Sequence, residues 1–193
     1  MLIQALHFIL DAVLGLFLLA LLLRFYLQLV RAPFKNPLSQ FVIALTNFVV
    51  KPARRVIPGL KGYDLATLLL AWVVAFILKL MPYWLGLMDT YIAITKIWVY
   101  PSFAYLATLY LFTLSVYILI GTVLVQAILS WINPYSQIAP VLEALTQPFL
   151  RPLRKHIPLI GGVDLSPLIV LLACQFIIMF PVRSLEGLAL RIV

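Results

Sequence analysis

From residue 102 to residue 132 the chain reads SFAYLATLYLFTLSVYILIGTVLVQAILSWI, thirty-one residues without a single charge. A charge-free apolar run longer than about 18 residues is a membrane-span signature, and hydrocarbon accepts it only as a helix, whose backbone amides are all satisfied internally. At about 1.5 Å per residue the segment outreaches a hydrocarbon core of about 30 Å, so it must tilt, break or protrude. Gly121 is a flexible point. Tyr100, Phe103, Tyr105 and Tyr110 at one end and Trp131 at the other mark interfacial belts. Working outward, three further apolar blocks qualify as spans: Leu6–Val30, Leu65–Trp84 and Leu165–Val182. The predicted fold is all-α: a polytopic helical membrane protein with four transmembrane helices.

Composition agrees. The 193 residues are 65% hydrophobic and 10% charged, with a mean hydropathy of +1.13, against about 45–50% apolar and 25% charged in soluble domains. The net charge of +8 points to topology rather than to nucleic acid because of where the cations stand. Arg31, Lys35, Lys51, Arg54, Arg55 and Lys61 lie between the first two blocks, and Arg151, Arg154 and Lys155 between the last two. The segment 85–100 holds only Lys96, and the stretch after Val182 only Arg183 and Arg191. Positive residues gather on the cytoplasmic side. Both basic loops are therefore expected there, with the termini and the central connection opposite. The N-terminal block lacks a basic leader, carries Asp11 and shows no small-residue cleavage pattern, so it is expected to be a retained span. The single cysteine, Cys174, excludes a disulfide framework and a cysteine metal cluster; packing is its expected role.

The chain repeats itself. Residues 45–65 align with 145–165 at a constant offset of 100, with nine of twenty-one positions identical: Leu45, Thr46, Pro52, Arg54, Ile57, Pro58, Gly62, Asp64 and Leu65. Lys51/Arg151 and Arg55/Lys155 keep the charge. Upstream, Phe34-x-Asn36-Pro37-x-Ser39-Gln40 faces Trp131-x-Asn133-Pro134-x-Ser136-Gln137 at an offset of 97. Residues 1–97 and 98–193 are thus expected to be two repeats of one unit: span, basic amphipathic loop, span. A unit with two spans re-enters the membrane in its starting orientation, so the copies should be parallel, related by an axis along the membrane normal.

Within each loop, Asn36-Pro37 and Asn133-Pro134 are expected to end the incoming helix, since the residue before proline is driven out of the α region. A short amphipathic, interfacial or re-entrant helix follows. In the second copy Glu143, Thr146 and Gln147 form its polar face and Val141, Leu142, Leu145 and Phe149 point elsewhere; the first copy is more apolar, with Gln40 and Asn47 seven apart. Then come Lys51-Pro52-x-Arg54-Arg55-x-Ile57-Pro58 and Arg151-Pro152-x-Arg154-Lys155-x-Ile157-Pro158. Their prolines are expected to prevent regular helix and to hold the cations in a stiff, extended turn facing lipid phosphate. Gly62-x-Asp64 and Gly162-x-Asp164 lead into the next span, with each Asp a helix cap at the positive helix end and Pro167 compatible with a first turn. The cations are accounted for by topology and headgroup contact. The sharper alternative pairs each Asp with Arg54 or Arg154 across its loop, as a clamp that a lipid or partner recognises.

Arg24 and Asp11 are charges within the first span and so functional candidates; Arg24 is expected to snorkel to the cytoplasmic interface and Asp11 to lie near the other. Gln28, Gln126 and Gln175 suit interhelical hydrogen bonds. His7 and His156 are expected on opposite faces, which argues against a shared metal or haem. No nucleotide loop, haem motif, metalloprotease motif or nucleophile–base set occurs, so no enzyme activity and no cofactor are expected.

The repeated pattern Asn-Pro-x-Ser-Gln, Thr, Pro-x-Arg-[Arg/Lys]-x-Ile-Pro, Gly-x-Asp resembles the YggT family of membrane proteins, as a tandem pair covering nearly the whole chain. The first copy departs from the pattern with Phe34 in place of Trp131 and Phe48 in place of Pro148. The resemblance implies a bacterial inner-membrane protein with relatives in cyanobacteria and chloroplasts. It implies non-enzymatic roles, linked in that family to assembly of cytochrome complexes, to cell division or nucleoid distribution, and to osmotic stress and ion homeostasis. The expected function is a scaffold or assembly factor. Its basic loops would engage anionic headgroups at the cytoplasmic face and another membrane protein, with no nucleic acid and a homo-oligomer compatible. The alternative is an ion or osmolyte transport or channel component.

Overall fold

In a computed structural model of the chain the backbone is described over residues 1–59, 62–86, 96–157 and 164–192, with side chains except at 96–99 and 189–192. The elements are α1 (Leu2–Leu29), α2 (Pro37–Val56), α3 (Leu65–Trp84), α4 (Lys96–Ile132), α5 (Ala139–His156) and α6 (Ser166–Ile177). A π-helical turn (Ile178–Val182) then carries the chain into α7 (Arg183–Ile192). No strand occurs among the described residues. Four helical segments are long and apolar enough to cross a membrane: Leu2–Leu29, Leu65–Trp84, Tyr100–Ile132 and Ser166–Leu188. The protein is an all-α, multi-pass membrane protein with four such spans, arranged as two copies of span, amphipathic helix, span.

The boundaries correct two expectations. α4 runs unbroken through Gly121, so the long third span is accommodated by tilt or protrusion and not by a break. The stretch after Val182 is helical, and the fourth apolar segment passes through the π-helical turn into α7. Pro181 stands inside that turn, where its missing amide hydrogen removes one ladder bond, a usual site for such a turn.

α3 is the central span. Its Ala71, Ala75 and Leu78 pack against Leu18, Leu21 and Leu22 of α1, Ala107 and Leu111 of α4, and Val50 of α2. Ala71, Ala75 and Ala107 are fully buried; alanines spaced four apart let helix backbones approach closely, the way spans gain dispersion energy where lipid removes the hydrophobic drive. Trp72 Nε1 donates to Thr108 Oγ1 at 3.0 Å across the same seam. In the second copy a smaller core joins Val116 and Val123 of α4, Leu150 of α5 and Val170 and Cys174 of α6; Cys174 is buried as a packing residue.

A third cluster fixes the relation between the copies. Leu27 and Ala32 at the end of α1, Val42 of α2, and Val141 and Leu145 of α5 bury one another. Both amphipathic helices therefore sit at the same end of the bundle, as parallel repeats require.

α1 does not end at Asn36-Pro37. It ends seven residues earlier, where Ala32 N donates to Leu27 O at 2.9 Å and Arg31 N to Gln28 O at 3.1 Å. Those two bonds make a Schellman cap, with Arg31 at φ 52° in the left-handed position usually taken by glycine. The hydrophobic contact that accompanies such caps is Leu27 against Ala32. Asn36 instead starts the following helix: its Oδ1 accepts from Ser39 N at 2.8 Å. In the second copy α4 does end at Ile132, directly before Asn133, but α5 begins only at Ala139, and the exposed Asn133 caps nothing.

The proline-rich stretches are helical, not extended. α2 contains Pro52 and α5 contains Pro148 and Pro152. An interior proline costs about 3 kcal/mol in an isolated helix; here burial of the turns leading into it, through Thr46 and Val50 in α2 and through Leu145, Thr146 and Leu150 in α5, holds the helix in place. Ala75→Leu in the α1–α3–α4 seam should lower unfolding stability in mild detergent by about 1–3 kcal/mol through overpacking, measured as a fall in the thermal transition of the purified protein. Ile77→Leu on the exposed face of the same helix should leave the transition in place.

Candidate functional site

Each amphipathic helix is tied to the span before it through a threonine at equivalent positions. Thr46 and Thr146 are fully buried and each hydroxyl donates to the carbonyl four residues back, Val42 O at 2.7 Å and Leu142 O at 2.9 Å. Thr46 Oγ1 also accepts from Arg24 Nη1 of α1 at 2.8 Å, and Asn47 Oδ1 accepts from the same nitrogen at 3.0 Å. In the second copy Thr146 has Gln126 Oε1 of α4 as a further acceptor at 2.6 Å. Arg24 is thus buried and held by α2, and does not snorkel into water. The chemistry is that of polar groups at membrane depth finding partners within the protein. Thr146, expected on the polar face of α5, belongs to its buried face; Glu143 and Gln147 are exposed.

The helix is tied to the span after it by an ion pair. Arg54 Nη2 meets Asp64 Oδ2 at 2.5 Å and Arg54 Nε donates to Asp64 Oδ1 at 3.3 Å. The same guanidinium donates from Nη2 to Gln28 Oε1 of α1 at 2.8 Å. Asp64 is the N-cap of α3, accepting from Thr67 N at 3.3 Å and from the Thr67 hydroxyl. Gly62 precedes it at φ 88°, a left-handed turn that a Cβ would strain. In the second copy Arg154 Nε donates to Asp164 Oδ2 at 2.8 Å, and Asp164 Oδ1 accepts from Ser166 N at 2.9 Å; Asp164 stands one residue before the N-cap, Leu165. Capping and pairing, posed as alternatives by the sequence, are both made by the same carboxylate. Pro58 follows the end of α2; Pro158 and Gly162 lie outside the described residues.

Burial alone would raise the Asp64 pKa, but the Arg54 hydrogen bond and charge and the Thr67 donors outweigh it and hold the carboxyl below its usual range. Asp164 shifts the same way: a smaller burial effect is overcome by the Ser166 bonds and by Arg154.

The six predicted cations therefore divide. Among the described residues Arg54 and Arg154 alone form ion pairs. Lys51, Arg55, Arg151 and Lys155 are exposed; Arg55 and Lys155 stand in the last turns of α2 and α5, where positive charge also suits the negative helix end, and Lys51 and Arg151 stand one turn earlier. Phe41, Leu45 and Phe48 of α2 and Phe149 of α5 expose apolar surface beside them. Sequence reasoning missed Lys79, half-buried within α3 with its ammonium 4.1 Å from the centroid of the Tyr110 ring. A lone lysine in an apolar block was the available signal. No group of three His, Cys, Asp or Glu side chains fit to hold a metal occurs among the described residues; His156 is satisfied locally by Pro152 O at 2.8 Å.

A carboxylate whose pKa is depressed by folding contributes stability that is complete above its unfolded value, about 4, and is lost as pH falls through the lower folded value. The thermal transition in detergent should accordingly hold from pH 7 to about pH 5 and fall below about pH 4. Asp64→Asn should weaken that acid limb. Reversing the second pair in one protein, Arg154→Asp with Asp164→Arg, should recover part of what either single change loses, read as the same transition.

The CCB3/YggT family model matches residues 3–85 and 104–185, one segment per copy. The uncharacterized protein PA0392 of Pseudomonas aeruginosa is 39% identical over 94% of this chain and 90% of its own length. An uncharacterized protein from the proC 3′ region of Vibrio alginolyticus is 35% identical over 90% and 91%. The uncharacterized protein YggT of Escherichia coli K12 is 36% identical over 95% and 93%. No solved structure matches. With both segments of the family pattern present and filled by a capped, ion-paired helix connection, the chain belongs to the CCB3/YggT family.

Proposed function

We propose that this protein is a non-enzymatic scaffold or assembly factor of the bacterial inner membrane. Its two basic helices lie at the cytoplasmic face, engaging anionic headgroups and a partner membrane protein, and its termini lie on the other side. The observation that carries this reading is the duplicated clamp, which fixes two amphipathic helices at one end of the bundle with Lys51, Arg55, Arg151 and Lys155 exposed. The excess of basic residues at that end supports a cytoplasmic orientation, and each exposed cation contributes about 1 kcal/mol at an anionic leaflet. The residues in the clamp bind one another, and the groups left over are cations and apolar rings, which suit docking more than chemistry. The family's links to complex assembly, cell division and osmotic stress fit a docking role.

Affinity purification of the full chain in mild detergent should recover a stoichiometric membrane partner. Lys51→Gln with Arg55→Gln and Arg151→Gln with Lys155→Gln should reduce that recovery without shifting the thermal transition. Repeated isolation of the chain alone would sink the partner half of the proposal.

A second reading, an ion or osmolyte transport component, is favoured by Lys79, a lysine within a span whose ammonium lies 4.1 Å from the centroid of the Tyr110 ring. Such intramembrane ionisable groups mark pathways in many transporters. Reconstituted liposomes should then pass a common cation or osmolyte, and Lys79→Met should abolish the flux; tight liposomes would remove this reading.

A further inference from the structure

The two copies are not packed alike. Beside the contact of Val116 and Val123 with Val170 and Cys174, a laterally open groove of about 860 Å³ lies between α4, α5, α6 and the end of α1. Its walls include Leu119 and Thr122 of α4, Pro148 and Pro152 of α5, and Ile169 and Ala173 of α6. Tyr26 and Gln147 also line it, and two wall hydroxyls are satisfied within α4: Ser115 donates to Leu111 O at 2.6 Å and Thr122 to Ile118 O at 2.9 Å. The chamber between α4 and α6 thus offers an apolar lining.

We propose that this groove holds an acyl chain of one anionic phospholipid whose phosphate is bound by Arg151 and Lys155. The proposal rests on the lipid half of the function above and is independent of any protein partner.

Helical periodicity supplies the first argument. Ala144, Pro148 and Pro152 line the groove, and Arg151 and Lys155 continue the same i, i+4, i+7, i+8, i+11 stripe of α5. The exposed cations therefore flank the groove on α5, Arg151 beside Pro152 of the apolar wall and Lys155 two residues past Leu153, its last lining residue on that helix. Arg154, on the neighbouring stripe, is occupied by Asp164. An apolar groove flanked by two exposed cations outside the ion pairs is complementary to a molecule with an anionic head and a hydrocarbon tail.

Volume supplies the second. Three turns of a partner helix, 10–12 Å across with side chains, fill upward of about 1,200 Å³, so a spanning helix would stand largely outside the groove. A slender chain is contained by it, and the volume lies within the range of about 300–1,000 Å³ usual for small-molecule sites. The first copy has the equivalent cations, Lys51 and Arg55, but packs Ala71 and Ala75 of α3 against Leu18, Leu21 and Leu22 of α1. One site per chain follows.

The test uses the full chain in vesicles of phosphatidylglycerol and phosphatidylcholine carrying trace phosphatidylglycerol with a photoreactive group midway along its tail. Label should concentrate in peptides 112–122 and 169–177, and after mild detergent extraction about one phosphatidylglycerol should stay with each chain in native mass spectrometry. Arg151→Gln with Lys155→Gln should cut the preference for phosphatidylglycerol over phosphatidylcholine by about 30-fold, the attraction of two cations to an anionic surface. Lys51→Gln with Arg55→Gln should spare both the label and the retained lipid. Ala173→Trp should fill the groove and abolish both. Label spread evenly over the lipid-facing surfaces of α1 and α3 would overturn the groove, whatever partner is recovered. Equal loss from the two charge pairs would also overturn it while sparing the general basic-face reading. If Ala173→Trp does not fold, the label map of the unaltered chain decides alone.

Discussion

One carboxylate holds three elements of the first copy in register. Asp64 caps α3, receives Thr67, and takes the Arg54 guanidinium that also reaches Gln28 of α1. At the edge of a bilayer such groups have few competing waters, so a set of mutually satisfied polar atoms fixes geometry more firmly than it would on a soluble surface. The same logic works one layer deeper, where Arg24 Nη1 is held by Thr46 and Asn47. α2 is thereby stapled to the spans on both sides of it, and its apolar face has one place to pack.

Duplication has preserved the staples more faithfully than the packing between them. The second copy keeps its threonine, its arginine and its aspartate, but Gln126 replaces the arginine contact, and Asp164 is more exposed than Asp64. Its helix pair also lacks the alanine seam of the first. The result is a tight half and an open half in one chain, so that identical loop chemistry is presented beside a closed core on one side and a groove on the other.

The spans were legible in the sequence because hydrocarbon imposes one signature, a charge-free run long enough to cross, and the repeat was legible as identity at a fixed offset. The ten-residue separation of Arg54 from Asp64 and of Arg154 from Asp164 also let the ion pairs be posed, since both ends lie within one short connection. What failed was local reasoning where distant contacts decide. Pro52, Pro148 and Pro152 break helices by their own chemistry, yet buried Val50 and Leu150 keep α2 and α5 helical past them. Arg24 looked like a snorkelling charge because its acceptors lie 22 and 23 residues away. Asn36 looked like a stop signal, but Arg31 had already ended α1 in a left-handed conformation that nothing in its residue type announces. Thr146 sits at a polar spacing and is buried because a glutamine on another helix meets it.

The π-helical turn at Ile178–Val182 reaches further than its five residues suggest. One added residue in a helical turn rotates everything downstream by about 100° about the axis, so α6 and α7 aim different faces from a single hydrophobic segment. α6 contributes Val170 and Cys174 to the second core and meets both α4 and α5, while α7, among the described residues, packs on α4 alone. The widened turn thus works as a swivel: it lets the outermost span seat itself against two helices at one level and against one at the next.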